Sequence, residues 1–130
     1  MLKFSFNFKK VFLIVLIVFI ALYTIMVLNT NSVIRYAKSV FLGEISLEEV
    51  VDTPLYRYYP KDLEIATTDL SINRIFVAHN FKEGYIWVKY DEERMDSSGN
   101  ILSGSWDAVS RWKIHKENGE WKVIEIKEAP

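Results

Sequence analysis

Apolar and polar positions divide the chain into three patterns: one unbroken apolar run, one helical stripe and a series of alternating segments. The run is Val11 to Leu28, eighteen residues without a charge, a glycine or a proline, fourteen of them Leu, Ile, Val or Phe. A hydrocarbon core of about 30 Å needs roughly twenty apolar residues at ~1.5 Å rise each. With its flanks the run meets that length, and its strongly apolar side chains favour insertion by roughly 4–8 kcal/mol. It predicts a transmembrane helix over residues 11–28, in contact with the lipid bilayer.

After a short connection at 29–31, Val33, Tyr36, Ala37, Val40 and Phe41 recur at helical spacing. They predict an amphipathic helix from Val33 to Leu42, closed by Gly43 in the left-handed conformation that commonly ends a helix. Ser46 followed by Glu49 has the form of a capping box, with Ile45 and Val50 as its hydrophobic staple. That second helix must be short, because Thr53-Pro54 stops it. Leu55-Tyr56-Arg57-Tyr58-Tyr59-Pro60 reads as an extended or turn segment.

Beyond Pro60 the period changes to two. Ile72 to Phe81 is rich in β-branched and aromatic residues, and Lys82-Glu83-Gly84 reads as a tight turn. Tyr85 to Met95 forms a second strand, ended by Asp96-Ser97-Ser98-Gly99-Asn100. Ser103 to His115 forms a third, Asn118-Gly119 signals a hairpin, and Trp121 to Lys127 forms a fourth. Alternation puts Ile86, Val88 and Tyr90 on one face of the second strand, and Trp106, Ala108, Ser110, Trp112 and Ile114 on one face of the third. In the first strand two phases compete, Ile75, Val77 and Phe81 against Ile72, Phe76 and Ala78. A phase shift in the fourth predicts a bulge between Val123 and Ile124. The expected fold class is α+β: a transmembrane helix, then an amphipathic helix and a short helix covering a four-stranded antiparallel meander. Residues 32–130 form one outer domain, large enough for a single core without disulfides.

Charge divides the chain at the same place. Residues 1–43 carry five Lys/Arg and no acid, while residues 44–130 carry eleven Lys/Arg against seventeen Asp/Glu. The two parts, +5 and −6, sum to the net −1 of the chain. Lys3, Lys9 and Lys10 precede the run, so the positive-inside rule puts residues 1–10 in the cytoplasm and residues 32–130 outside. The rival reading is a cleaved secretory signal, whose apolar core is shorter, about 7–15 residues. The exit, Met26-Val27-Leu28-Asn29-Thr30-Asn31-Ser32, lacks a small-x-small cleavage pattern, and an uncleaved anchor in the cell membrane is expected. The chain has no cysteine, which excludes disulfides and lipoprotein attachment. It has no glycosylation sequon either, which points to a bacterial envelope. An acidic outer domain is a poor nucleic-acid binder, since phosphate contacts require a basic surface.

Candidate chemistry is sparse. His79 reads as a satisfied core or rim histidine; as a general base it would need an orienting carboxylate, for which Asp69 and Asp107 are the candidates. His115, beside Lys116 and Glu117 near a hairpin end, reads as exposed. These two histidines lack metal-ligand spacing and do not compose a zinc site. Asp91-Glu92-Glu93 and Asp96 read as a solvated acidic strand end, and the turn after them lacks the ligand order of an EF-hand loop. No nucleophile motif, phosphate loop or dinucleotide fingerprint is present, so no catalytic residue, metal or cofactor is assigned. The aromatic residues carry more signal. Trp106, Trp112 and Trp121 read as core. Tyr56, Tyr58, Tyr59, Tyr85 and Trp87 are the candidates for a partner-binding surface, because Tyr and Trp favour interface centres.

The closing hairpin, Trp112-Lys113-Ile114-His115-Lys116-Glu117-Asn118-Gly119-Glu120-Trp121-Lys122-Val123-Ile124, has a recognisable form. It runs aromatic-x-hydrophobic, charged residues, Asn-Gly, then x-Trp-Lys-hydrophobic. With the elements before it, this hairpin resembles the cystatin-like cone of the NTF2-like superfamily over roughly residues 32–127. The resemblance implies a curled sheet covered by helices and, for membrane-anchored extracytoplasmic members, an accessory role in envelope machines. The superfamily also includes pocket enzymes, so the fold alone assigns no activity. The expected function is a protein- or polymer-binding accessory domain on a single-pass anchor, with an envelope protein as partner and no catalysis. The alternatives are a small NTF2-like pocket enzyme or ligand-binding domain, in which His79 and a carboxylate converge, and a secreted domain after signal cleavage.

Overall fold

The computed structural model describes residues 7–130. Lys3, one of the three lysines behind the orientation expectation, lies outside the described residues. Helix α1 spans Phe8–Leu28 and is long and apolar enough to cross a membrane. It is apolar all round and none of its residues is buried within the chain, the surface pattern of a helix whose solvent is lipid. The chain turns at Asn29–Thr30 and resumes as α2, Asn31–Phe41. Val33, Ala37, Val40 and Phe41 are buried as the stripe predicts, Ile34 joins them, and Tyr36 is half-buried at the margin. Gly43, at φ 71, closes the helix; its N–H reaches the Val40 carbonyl and the Glu44 N–H the Ser39 carbonyl, the paired bonds of a Schellman motif.

Helix α3, Leu47–Val50, is a single turn. Ser46 stands at its N-cap, but its side chain makes no capping hydrogen bond, so the capping box expected from sequence is not formed. The fully buried Val50 holds this turn in place by packing instead. A 3-10 turn, Pro54–Tyr58, then drops Leu55 and Tyr58 into the core.

The strands are β1 (Thr67–His79), β2 (Glu83–Met95), β3 (Ile101–Glu117) and β4 (Glu120–Glu128), paired in chain order and antiparallel throughout. The fold class is therefore α+β, with the layout expected from sequence. Asn118 and Gly119 both have positive φ, 52 and 80, as a primed hairpin turn requires. The core lies on one face of the sheet, where Val77, Ile86, Val88, Trp112 and Ile114 meet α2 and the Val50–Tyr58 segment.

Bulges set which residues reach that core. In β1, Arg74 pairs with Val88 and Phe76 with Trp87, leaving Ile75 without a partner. The two competing phases are thus both real: Ile72 and Val77 are buried on either side of the bulge, while Ile75 is 55% exposed. In β3, Ala108 pairs with Tyr90 but Ser105 with Glu92. The extra residue is stabilised by the Asp107 N–H, which donates to the Asp91 carboxylate at 2.7 Å while Asp107 adopts φ 52. Trp106, expected in the core, is consequently turned outward, 58% exposed and lying over Gly104. In β4, Val123 pairs with Ile114 and Glu125 with Lys113, so Ile124 is the extra residue, at the predicted bulge.

The first hairpin turn also differs from expectation. It falls at Asn80–Lys82, where the Asn80 side-chain oxygen accepts the N–H groups of Lys82 and Glu83. Gly84 belongs to β2, opposite His79. A Cβ there would lie 2.2 Å from the Ala78 carbonyl oxygen and 2.5 Å from the His79 Cα. Close backbone approach explains this glycine, not turn conformation.

Candidate functional site

The end of α1 is fastened to the edge of the sheet. A helix C-terminus leaves carbonyl groups without intrahelical partners, and cations are favoured there. Arg74 supplies one from β1: its Nη1 donates to the Val27 carbonyl at 2.9 Å and to Thr30 Oγ1 at 3.0 Å. His79 Nε2 donates to the Met26 carbonyl at 2.8 Å, while His79 Nδ1 accepts the Phe81 N–H at 2.9 Å. That pair of bonds fixes the Nε2–H tautomer and occupies both ring nitrogens. Tyr23 Oη accepts the Val77 N–H at 3.2 Å, and Trp121 Nε1 donates to Asn29 Oδ1 at 2.9 Å. Helix and domain are joined by polar contacts from four strand residues, three on β1 and Trp121 on β4, with Thr30 fully buried among them.

A second polar cluster lies at the other end of the core. Tyr58 and Tyr90 both donate to the Glu128 carboxylate, Tyr90 at 2.9 Å. Tyr58 Oη also meets Ser110 Oγ at 3.2 Å and receives the Trp112 indole N–H at 3.4 Å. Burial pushes the Tyr58 phenol up, reinforced by the Glu128 carboxylate. Burial likewise pushes Tyr90 up, with Tyr58 and Glu128 adding to it. Both phenols therefore stay protonated and serve as donors. Beside them Arg94 pairs with Glu92 at 3.2 Å and donates to the carbonyls of Phe41 and Tyr58. Burial raises the Glu92 carboxyl, and Arg94 opposes that rise. Arg94 Nε has no hydrogen-bond partner among the described residues. A cavity of about 330 Å³ opens onto Tyr58, Tyr90, Glu92, Arg94 and Glu128, with Arg57 and Ser105 at its edge.

A groove of about 890 Å³ lies between α2, the Glu49–Leu55 segment and the start of β4. Val33, Leu55 and Val123 contribute apolar surface, Tyr36 and Trp121 aromatic surface, and Glu49, Asp52, Lys116, Glu120 and Lys122 charge of both signs. An apolar base with aromatic walls and a charged rim is the anatomy of a binding surface.

The five aromatic candidates from sequence are not brought together. Tyr58 is buried and belongs to the polar cluster. Tyr56 and Tyr59 stack on each other at 6.4 Å, with Lys61 over Tyr56 and the Tyr59 hydroxyl donating to the Ile45 carbonyl. Tyr85 and Trp87 lie on the outer face of the sheet, 5.7 Å apart, where Trp87 also packs on Phe76 at 5.5 Å. Trp112 is core, and Trp121 is half-buried.

His79 lines neither concavity, and neither Asp69 nor Asp107 hydrogen-bonds it. Glu92, expected on a solvated acidic strand end, is buried against Arg94. The Asp96 carboxylate is engaged by its own turn, accepting the N–H groups of Ser98 and Asn100. No group of metal-ligating side chains occurs among the described residues. Trp121, which reads as core from sequence, and Tyr36 of the helical stripe both line the groove. The available signal was Tyr36, a polar-tipped ring at the margin of the helical stripe.

No protein family, curated protein or solved structure matches this chain.

Proposed function

We propose that this is a single-pass membrane protein, N-terminus in the cytoplasm, whose extracytoplasmic α+β domain binds an envelope protein or polymer in the groove beside β4. The observation that carries this reading is the groove itself, with its apolar base, the rings of Tyr36 and Trp121 and its two-signed rim. An uncleaved anchor is supported by the junction. Cleavage at the helix exit would remove the Val27 and Met26 carbonyls and the Tyr23 hydroxyl that meet Arg74, His79 and the Val77 N–H. Kinship with the NTF2-like cone is part of the same proposal, supported by the order of helix, short helix and four-stranded antiparallel meander. A second reading, a small ligand-binding or catalytic pocket, is favoured by the cavity at Glu92 and Arg94, where one guanidinium nitrogen stands unpaired among the described residues.

Photocrosslinking in the native membrane tests the first reading. A photoreactive side chain at Tyr36 and, separately, at Glu120 is expected to give one adduct of the same added mass. The same group at Ile101, at the far end of the sheet, is expected to give none. Adducts to lipid alone, or none at either groove position, would contradict a partner in the groove.

A further inference from the structure

The apolar run of α1 has no length to spare: eighteen residues at ~1.5 Å rise give roughly 27 Å for a core of about 30 Å. Tyr23 precedes Leu28 by five residues, so its Cα lies roughly 7 Å below the end of the run. This same Tyr23 accepts the Val77 N–H and stacks on Phe76 with ring centroids 6.0 Å apart. The C-terminal end of β1 is therefore held beside the last turns of the apolar run, with Val77 on Tyr23 and His79 on Met26.

What that end displays suits such a depth. Ile75, Phe76 and Phe81 are 55%, 49% and 45% exposed. Phe81 forms the hairpin turn at φ 68, a left-handed conformation uncommon for a bulky residue and typical of positions kept for function. Next to Phe76 on the outer face come Trp87 and Tyr85, rings of the type that gather at the membrane–water boundary. The guanidinium of Arg111 lies over Tyr85, and Lys113 pairs with Tyr85 across the sheet, placing cations where anionic headgroups attract them. At the opposite end Asp69 faces Glu93 and Asp96 begins the next turn, while Glu83 beside the hairpin turn pairs across the sheet with His115.

We propose that the β1–β2 end of the sheet, from Ile75 and Phe81 to Trp87 and Tyr85, is seated in the headgroup–acyl boundary of the leaflet from which α1 emerges. The occupant of this face is lipid of the same bilayer. The inference rests on α1 crossing the membrane and is independent of the groove. It orients the domain: hairpin tip in the interface, acidic end away from the headgroups.

The chain has no cysteine, so single cysteines can carry an environment-sensitive fluorophore without background. The full chain goes into vesicles of phosphatidylcholine and phosphatidylglycerol with labels at Phe81→Cys, Lys82→Cys, Leu16→Cys and Ile101→Cys in turn. Lys82→Cys reports on the same turn should Phe81→Cys fail to fold. The labels at 81 and 82 are expected to be quenched several-fold more than the label at 101 by lipids bearing nitroxides near the headgroup, and several-fold less by iodide. Labels at 81 and 82 that behave like the one at 101 would overturn the proposal. So would labels shielded from both quenchers, which would mean that protein covers this face. A label at Leu16 left unquenched by lipids that carry nitroxides deep in the acyl chain would overturn the membrane span itself, and the proposal with it. Quenching at 16 with aqueous behaviour at 81 and 82 overturns the proposal alone.

Discussion

Trp112→Ala is expected to destabilise the domain by about 3–5 kcal/mol, the range for removing a large aromatic side chain from a packed core. Trp112 is fully buried at the centre of the sheet, opposite Ile86 on β2 and Ile126 on β4. Its ring packs against Tyr58 at 6.0 Å, and its indole N–H donates to the Tyr58 hydroxyl. The substitution therefore opens a cavity and removes a donor from the cluster that Glu128 holds together. Against a typical domain stability of about 5–15 kcal/mol, such a loss leaves a substantial unfolded population on mild heating. Thermal melts of the full chain in detergent, followed by sheet circular dichroism, read the effect. Trp112→Phe, which keeps most of the ring, is expected to lose much less, and equal losses from both would place the weight on the indole N–H instead of volume.

Gly84→Ala is the second large effect, expected to cost about 3 kcal/mol, toward the upper end of the overpacking range. The added methyl would meet backbone, the Ala78 carbonyl oxygen and the His79 Cα, and backbone cannot rotate aside. The strands must part where β1 carries His79 to the Met26 carbonyl. Gly84→Ala should therefore loosen the helix–sheet junction as well as the hairpin, unlike Gly99→Ala, where an added Cβ meets nothing within 4 Å. Hydrogen exchange at the Val77 and Phe81 amides measures this directly: faster exchange in Gly84→Ala than in Gly99→Ala is expected, and equal rates would contradict the steric account.

Much of this fold was legible because its signals are local. The apolar run, the stripe on α2 and the Asn118-Gly119 turn each carry their meaning within a few residues, and the bulge at Ile124 showed as a break in alternation. The bulge that turns Trp106 outward gave no such break, because it depends on Asp91 of the neighbouring strand. Glu92 reads as solvated since charge in a strand end usually is, whereas here it is buried with Arg94. Arg74 was the missed clue at the junction. A cation between Ile72 and Val77, half-buried on the first strand, needs a partner, but nothing local shows that the partner is the end of a helix 47 residues earlier.

That junction changes how the anchor acts. An apolar helix followed by a polar connection suggests a tether with a freely swinging domain. Contacts from Tyr23, Met26, Val27 and Asn29 to four side chains or amides of the sheet make helix and domain one body. Groove, outer face and acidic end then keep fixed positions relative to α1. The direct measurement is the distribution of distances between spin labels at Leu16→Cys on α1 and Ile101→Cys at the far end of the sheet, by pulsed electron resonance in vesicles. One narrow distribution is predicted, broadening when Arg74→Ala and His79→Ala are introduced together. A broad distribution in the chain that retains Arg74 and His79 would contradict the account.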